Sequence, residues 1–157
     1  MSDPDYKLLD SQLRALLADE ADALASASNF VALLTQAMDD INWLGIYVLR
    51  GEELVLGPFQ GKPACVHLNV GRGVCGTAAA LLETQRVADV HDFEGHIACD
   101  ADSRSELVVP LVCDGILIGV LDIDSPTPAR FSAEDQKGVE LLCASFCELQ
   151  AVRGRFI

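Results

Sequence analysis

The chain has 157 residues, half of them apolar and 22% charged, with a formal net charge of −13 at pH 7. That length predicts one domain over residues 1–157, with a core large enough to fold without staples, and the composition excludes disorder. The acidic balance argues against nucleic-acid backbones and anionic membranes as partners, since both would repel it. No signal peptide or membrane span is predicted, so a cytoplasmic location is expected.

Leu9, Leu13, Leu16, Leu17 and Ala21 follow helical spacing, and so do Ala27, Phe30, Val31, Leu34 and Met38. The break between these two helices is expected at the small-residue stretch ASAS, residues 25–28. INWLGIYVLR, residues 41–50, is β-rich and apolar on both faces, which predicts a central strand covered on each side. GEE reads as a turn and LVLGPF as a second strand. In ACVHLNV, Ala64, Val66, Leu68 and Val70 alternate with Cys65, His67 and Asn69. The alternation places Cys65 on the polar face, away from the core. A short helix is expected from Val74 to Glu83, then a brief strand at RVADV and an acid-rich loop. LVVPLVC and ILIGVLDID read as strands joined by a tight turn at Asp114-Gly115, because Asp-Gly supplies the positive φ angles of a hairpin. The last helix opens at Ser132, with Asp135 three residues on, and carries Val139, Leu142, Cys143, Phe146 and Leu149 on one face. This order predicts an α+β sandwich with antiparallel strands, not a repeated βαβ fold.

Six cysteines without a predicted secretory signal read as thiols rather than a disulfide framework. There is no C-x-x-C pair, and no metal or cofactor is predicted. GRGVCG, residues 71–76, satisfies G-x-G-x-x-G, but a dinucleotide site needs a parallel βαβ unit that this chain lacks room for. The glycines are instead expected to set a tight turn before a helix. Cys75 then falls in the first helical turn, where the dipole favours a thiolate; a buried, inert Cys75 is the alternative. Asp122 and Asp124 share one face of a strand, and Asp122 sits between Leu121 and Ile123, where a buried carboxylate needs a partner. A symmetrical two-residue loop would turn Glu106 to the opposite face. Glu106 joins the aspartates only with an odd-numbered loop, a bulge, or a place before the ladder. Trp43 reads as a core residue or as a wall for a small apolar group.

GHIACDADSRSE sets Cys99 among Asp100, Asp102 and Glu106. Neighbouring negative charge disfavours the reactive thiolate, so either Cys99 is inert or its chemistry uses carboxylates. His96 reads as a surface histidine, and Cys113, Cys143 and Cys147 as packing residues.

NWLGIYVL, LGPFQGKPACV, GRGVCGTA, DVHDFEGHIACDADSRSE and GVLDIDSP together resemble the free methionine-(R)-sulfoxide reductases, stand-alone enzymes of GAF fold. The resemblance covers nearly the whole chain. It implies a central antiparallel sheet with N- and C-terminal helices on one face, and loops plus a short helix forming a pocket on the other. It implies catalytic roles for Cys99 as nucleophile, Cys65 as its usual disulfide partner, Cys75 as an alternative, and Glu106 and Asp124. Trp43, Tyr47, Ile97, Ala98 and Asp122 would contact substrate. The implied reaction reduces free L-methionine-(R)-S-oxide through a sulfenic acid and an intramolecular disulfide. Thioredoxin would be the reductant and a homodimer the assembly, with no cofactor. The competing readings are a ligand-sensing GAF module without chemistry and a thiol redox sensor.

Overall fold

Trp43–Val48 are six consecutive buried residues within strand β1 (Trp43–Arg50), which is covered on both faces as its apolar run predicts. The structure is a computed structural model that describes residues 3–95 and 101–151. Helices α1 (Tyr6–Leu17) and α2 (Ala23–Ala37) precede β1; β2 (Glu53–Gly61), β3 (His67–Asn69), α3 (Gly73–Leu81) and β4 (Gln85–Val87) follow it. A single 3-10 turn, Val90–Asp92, leads to β5 (Ser105–Cys113), β6 (Ile116–Ser125) and α4 (Ala133–Ala151). The six strands form one sheet in the order β3-β2-β1-β6-β5-β4, with every neighbouring pair antiparallel.

Pleating divides the apolar residues between two layers. Leu44, Ile46 and Val48 face α1, α2 and α4, where they pack with Leu13, Phe30, Leu34, Leu121, Ile123, Leu142 and Phe146. Trp43 and Tyr47 face the other way and pack with Leu54, Leu68, Val74, Cys75, Val108 and Val120 around α3. Cys113, Cys143 and Cys147 are buried in the helix-side layer as free thiols, in agreement with their packing assignment. Among the described residues, no helix is long and apolar enough to cross a membrane.

Local chemistry sets the helix ends. The break between α1 and α2 falls at residues 18–22, and ASAS lies inside α2. Alanine favours helix, and the stop comes instead from Asp22, which caps α2 by accepting from the Ala25 amide at 2.8 Å. Ala21 therefore lies outside α1, and Leu16 is exposed rather than core. At α4, Ser132 and Asp135 cap each other: the Ser132 amide donates to Asp135 Oδ2 at 2.9 Å and the Asp135 amide to Ser132 Oγ at 3.0 Å. Asp135 also accepts from Tyr6 Oη at 2.6 Å, which ties α1 to α4. Asp114 and Gly115 both adopt positive φ, 53° and 78°, as the hairpin requires.

Candidate active site

One cavity opens on the α3 side of the sheet, lined by Trp43, Tyr47, Cys75, Glu106, Asp122 and Asp124 among others. The register explains why three strands deliver their side chains to the same place. In β1–β6 pairing, Trp43 lies opposite Asp124 and Gly45 opposite Asp122. In β5–β6 pairing, the hairpin starts with Cys113 opposite Ile116, but the register shifts between Leu111 and Val112, where the partners skip from Leu117 to Gly119. The extra residue, Ile118, is the bulge that sets Glu106 opposite Asp124. Of the three ways of bringing Glu106 to the aspartates, the protein uses this one.

Glu106 and Asp122 are each only 6% exposed. Burial first, then the charges of Asp122 and Asp124, holds the Glu106 carboxyl well above the ordinary glutamate range. It is therefore a carboxyl suited to carry a proton. Cys75 corrects the expectation of an activated thiolate. It does lie in the first turn of α3, yet burial and the charges of Asp122, Glu106 and Asp124 push its thiol well above the usual value. The helix dipole is worth a fraction of a charge, and burial together with the neighbouring acids outweighs it. The Cys75 thiol donates to Glu106 Oε2 at 3.9 Å. Ligand atoms of Cys75, Glu106 and Asp122 lie within 4.8 Å of one another, so these are the described residues that could surround a small cation.

The aromatic wall is built on a glycine. A Cβ on Gly45 would lie 2.5 Å from both Phe59 Cβ and the Trp43 ring, so only glycine lets the indole fold over the strand. Trp43 stacks on Phe59 and Tyr47, with centroids 5.4 and 5.8 Å away. Both ring systems also hold the segment carrying Cys65: Trp43 Nε1 donates to the Lys62 carbonyl at 3.1 Å, and Tyr47 Oη to the Cys65 carbonyl at 3.0 Å. Trp43 is thus both core and wall.

Cys65 departs from its predicted setting. Only His67–Asn69 of the alternating stretch pair as a strand, Val66 is half exposed, and Cys65 packs partly buried against the cavity-side layer. It is held in a disulfide, whereas Cys75, Cys113, Cys143 and Cys147 are free. Ile97, Ala98, Cys99 and His96 lie outside the described residues. Sequence reasoning missed Gly45, although a glycine inside an apolar strand signals close approach. It also missed Lys62, Arg72 and Ser103, which line the cavity; no spacing rule links them to it.

Around GRGVCG, Gly71 and Gly73 take positive φ, 91° and 68°, and a Cβ on Gly76 would meet the Asn69 carbonyl at 2.3 Å. The glycines shape a turn that seats α3 against β3, as predicted.

Residues 12–148 match the GAF domain family. The chain is 55% identical to the free methionine-R-sulfoxide reductase of Escherichia coli (strain K12) over 139 residues, 88% of this chain and 84% of that protein. The chain belongs to the free methionine-R-sulfoxide reductase family. Two solved members of this family superpose closely. The reduced form of the Staphylococcus aureus protein has a TM-score of 0.90 and 51% identity, covering 93% of this chain and 95% of that one. The Neisseria meningitidis free methionine-R-sulfoxide reductase, solved in complex with its substrate, has a TM-score of 0.90 and 41% identity, covering 94% and 89%. The GAF fold and the α+β layering expected from the sequence are therefore both present in this family member.

Proposed function

We propose that this protein reduces free L-methionine-(R)-S-oxide to L-methionine in the cytoplasm, as a homodimer that draws electrons from thioredoxin. The observation that carries the reading is the buried group of Glu106, Asp122 and the adjoining Asp124 beside the Trp43 wall, in a chain so similar to named reductases. The substrate has an ammonium, a polar S=O and an apolar methyl. The aspartates match the ammonium, and the indole matches the methyl. Glu106, whose burial and acidic neighbours favour its protonated form, matches an oxygen that departs only when it receives a proton.

In the proposed sequence, the Cys99 thiolate attacks the sulfoxide sulfur while Glu106, or Asp124, protonates its oxygen. The bond between the two sulfurs then breaks as the oxygen passes from the substrate sulfur to that of Cys99, which releases methionine and leaves Cys99 as a sulfenic acid. The substrate is reduced by two electrons and the thiol oxidised by two. Cys65 then attacks Cys99 and water leaves, forming a disulfide. That pairing is supported by the oxidised state of Cys65 and by the free thiols at the other four described cysteines besides it. Thioredoxin exchanges with the disulfide and returns two thiols. Ile97 and Ala98 are assigned backbone contacts to the substrate. Docking of the ammonium offsets the negative field that opposes the thiolate, which resolves the conflict between Cys99 and its acidic neighbours.

A thioredoxin-coupled assay of NADPH oxidation tests the reading. Turnover is expected on free L-methionine-(R)-S-oxide, with none on the S epimer or on a sulfoxide-containing peptide, and none in Cys99→Ser. Turnover by Cys99→Ser would sink the nucleophile assignment. Cys65→Ser is expected to release one methionine per active site and stall; sustained cycling would transfer the resolving role to Cys75.

A further inference from the structure

The helix-side layer holds a second group of sulfurs, on the sheet face opposite the α3-side cavity. Val109, Leu111 and Cys113 alternate along β5 and point from the sheet towards the helices, where all three are buried. Val139, Leu142, Cys143, Phe146 and Cys147 form the buried face of α4. The two elements thus bring three free thiols together, with Cys113, Cys143 and Cys147 only 7%, 3% and 4% exposed. The Cys147 thiol donates a hydrogen bond to the Cys113 sulfur, so these two sulfurs meet across the β5–α4 interface. Cys143 and Cys147 also line a cavity of about 550 Å³ whose walls include the exposed Leu82 and Val112, so solvent reaches this corner of the core.

We propose that Cys113 and Cys147 are a second redox site, a dithiol that hydrogen peroxide oxidises to a disulfide with no part taken by Cys65, Cys75 or Cys99. Geometry selects the pair. Side chains four apart on a helix keep their Cβ atoms about 5–6 Å apart, whereas a disulfide needs about 3.8 Å, so Cys143 and Cys147 cannot join within a regular helix. Cys113 approaches from another element and has no such restraint. The hydrogen bond also divides the roles. It holds the Cys113 thiol below the ordinary cysteine range, against the opposing effect of burial, and pushes the Cys147 thiol above it. Cys113 is then the nucleophile. Its thiolate attacks one peroxide oxygen, the O–O bond breaks, and the departing hydroxide takes up the proton that Cys113 gave up, forming water. Cys113 is left as a sulfenic acid. The Cys147 sulfur attacks that of Cys113, the S–O bond breaks, and a second water leaves with the Cys147 proton. The two thiols lose two electrons and hydrogen peroxide gains them.

The test uses the full chain carrying Cys65→Ser, Cys75→Ser and Cys99→Ser, which leaves Cys113, Cys143 and Cys147 as its thiols. Hydrogen peroxide is expected to remove two of the three titratable thiols and to lower the mass of the chain by two hydrogen atoms. Fragment spectra of a digest should place the bond between Cys113 and Cys147, and dithiothreitol should return all three thiols. Adding Cys113→Ser should abolish the bond, whereas adding Cys143→Ser should leave it intact. Peroxide-treated wild type should carry the same Cys113–Cys147 bond, and its map decides the matter if the triple variant does not fold. The proposal is overturned if all three thiols survive peroxide, if they take up oxygen without cross-linking, or if Cys147 joins Cys143 or a second chain instead. None of these readouts depends on methionine sulfoxide reduction, so failure of that reading leaves this test unaffected.

Discussion

Glu106 illustrates how one residue can be held in an uncomfortable state for use. Its raised pKa means that the folded chain binds this proton more tightly than the unfolded chain does. The associated stability is complete below the ordinary glutamate range and is lost as pH rises through the folded value. Glu106→Gln keeps the hydrogen-bonding shape without the charge, so it should flatten that part of the pH dependence. We expect its Tm to exceed that of wild type at mildly alkaline pH, by about 2–4 °C for each kcal/mol of relieved repulsion, with the difference vanishing at mildly acidic pH. The same variant should lose about 10²- to 10⁴-fold in kcat, the usual worth of a general acid. Thermal melts across pH and the coupled assay check both. A variant no more stable than wild type under alkaline conditions would show that the repulsion is already relieved in the wild type.

The elements position these residues through short-range fits. Helix α3 begins against β3 because Gly76 lacks a side chain where the Asn69 carbonyl approaches. Gly76→Ala must push the helix start away, and with it Cys75, one residue earlier. The cost expected is that of overpacking, about 1–3 kcal/mol, read as a lower urea midpoint. Because α3 supplies Val74 and Cys75 to the cavity, KM should rise in the surviving folded protein. An unchanged KM would mean that α3 adjusts without disturbing the site. The β5–β6 hairpin works differently, since its bulge at Ile118 changes which residues face each other without requiring any unusual side chain.

Across the whole molecule, excess negative charge is a standing repulsion that salt screens. Tm is therefore expected to rise from low to moderate ionic strength in thermal melts, and a flat response would assign the acids to locally balanced pairs. The layered architecture was legible from residues 41–50, whose two apolar faces mark an interior strand, and from Asp114-Gly115, whose backbone preference marks the hairpin. The shared face of Asp122 and Asp124 was legible for the same reason, strand periodicity. What periodicity cannot carry stayed hidden. The position of Glu106 depends on a single unpaired residue, and the Cys75 thiol answers to carboxylates distant in the chain. The setting of Cys65 was misread because alternation continues past the three residues that actually pair. Along β1, Leu44, Ile46 and Val48 belong to the helix-side layer, while Trp43 and Tyr47 belong to the cavity. Pressure on folding and pressure on ligand choice thus fall on interleaved letters of the same word. A lineage can rewrite one set of letters while the other continues to spell the same scaffold.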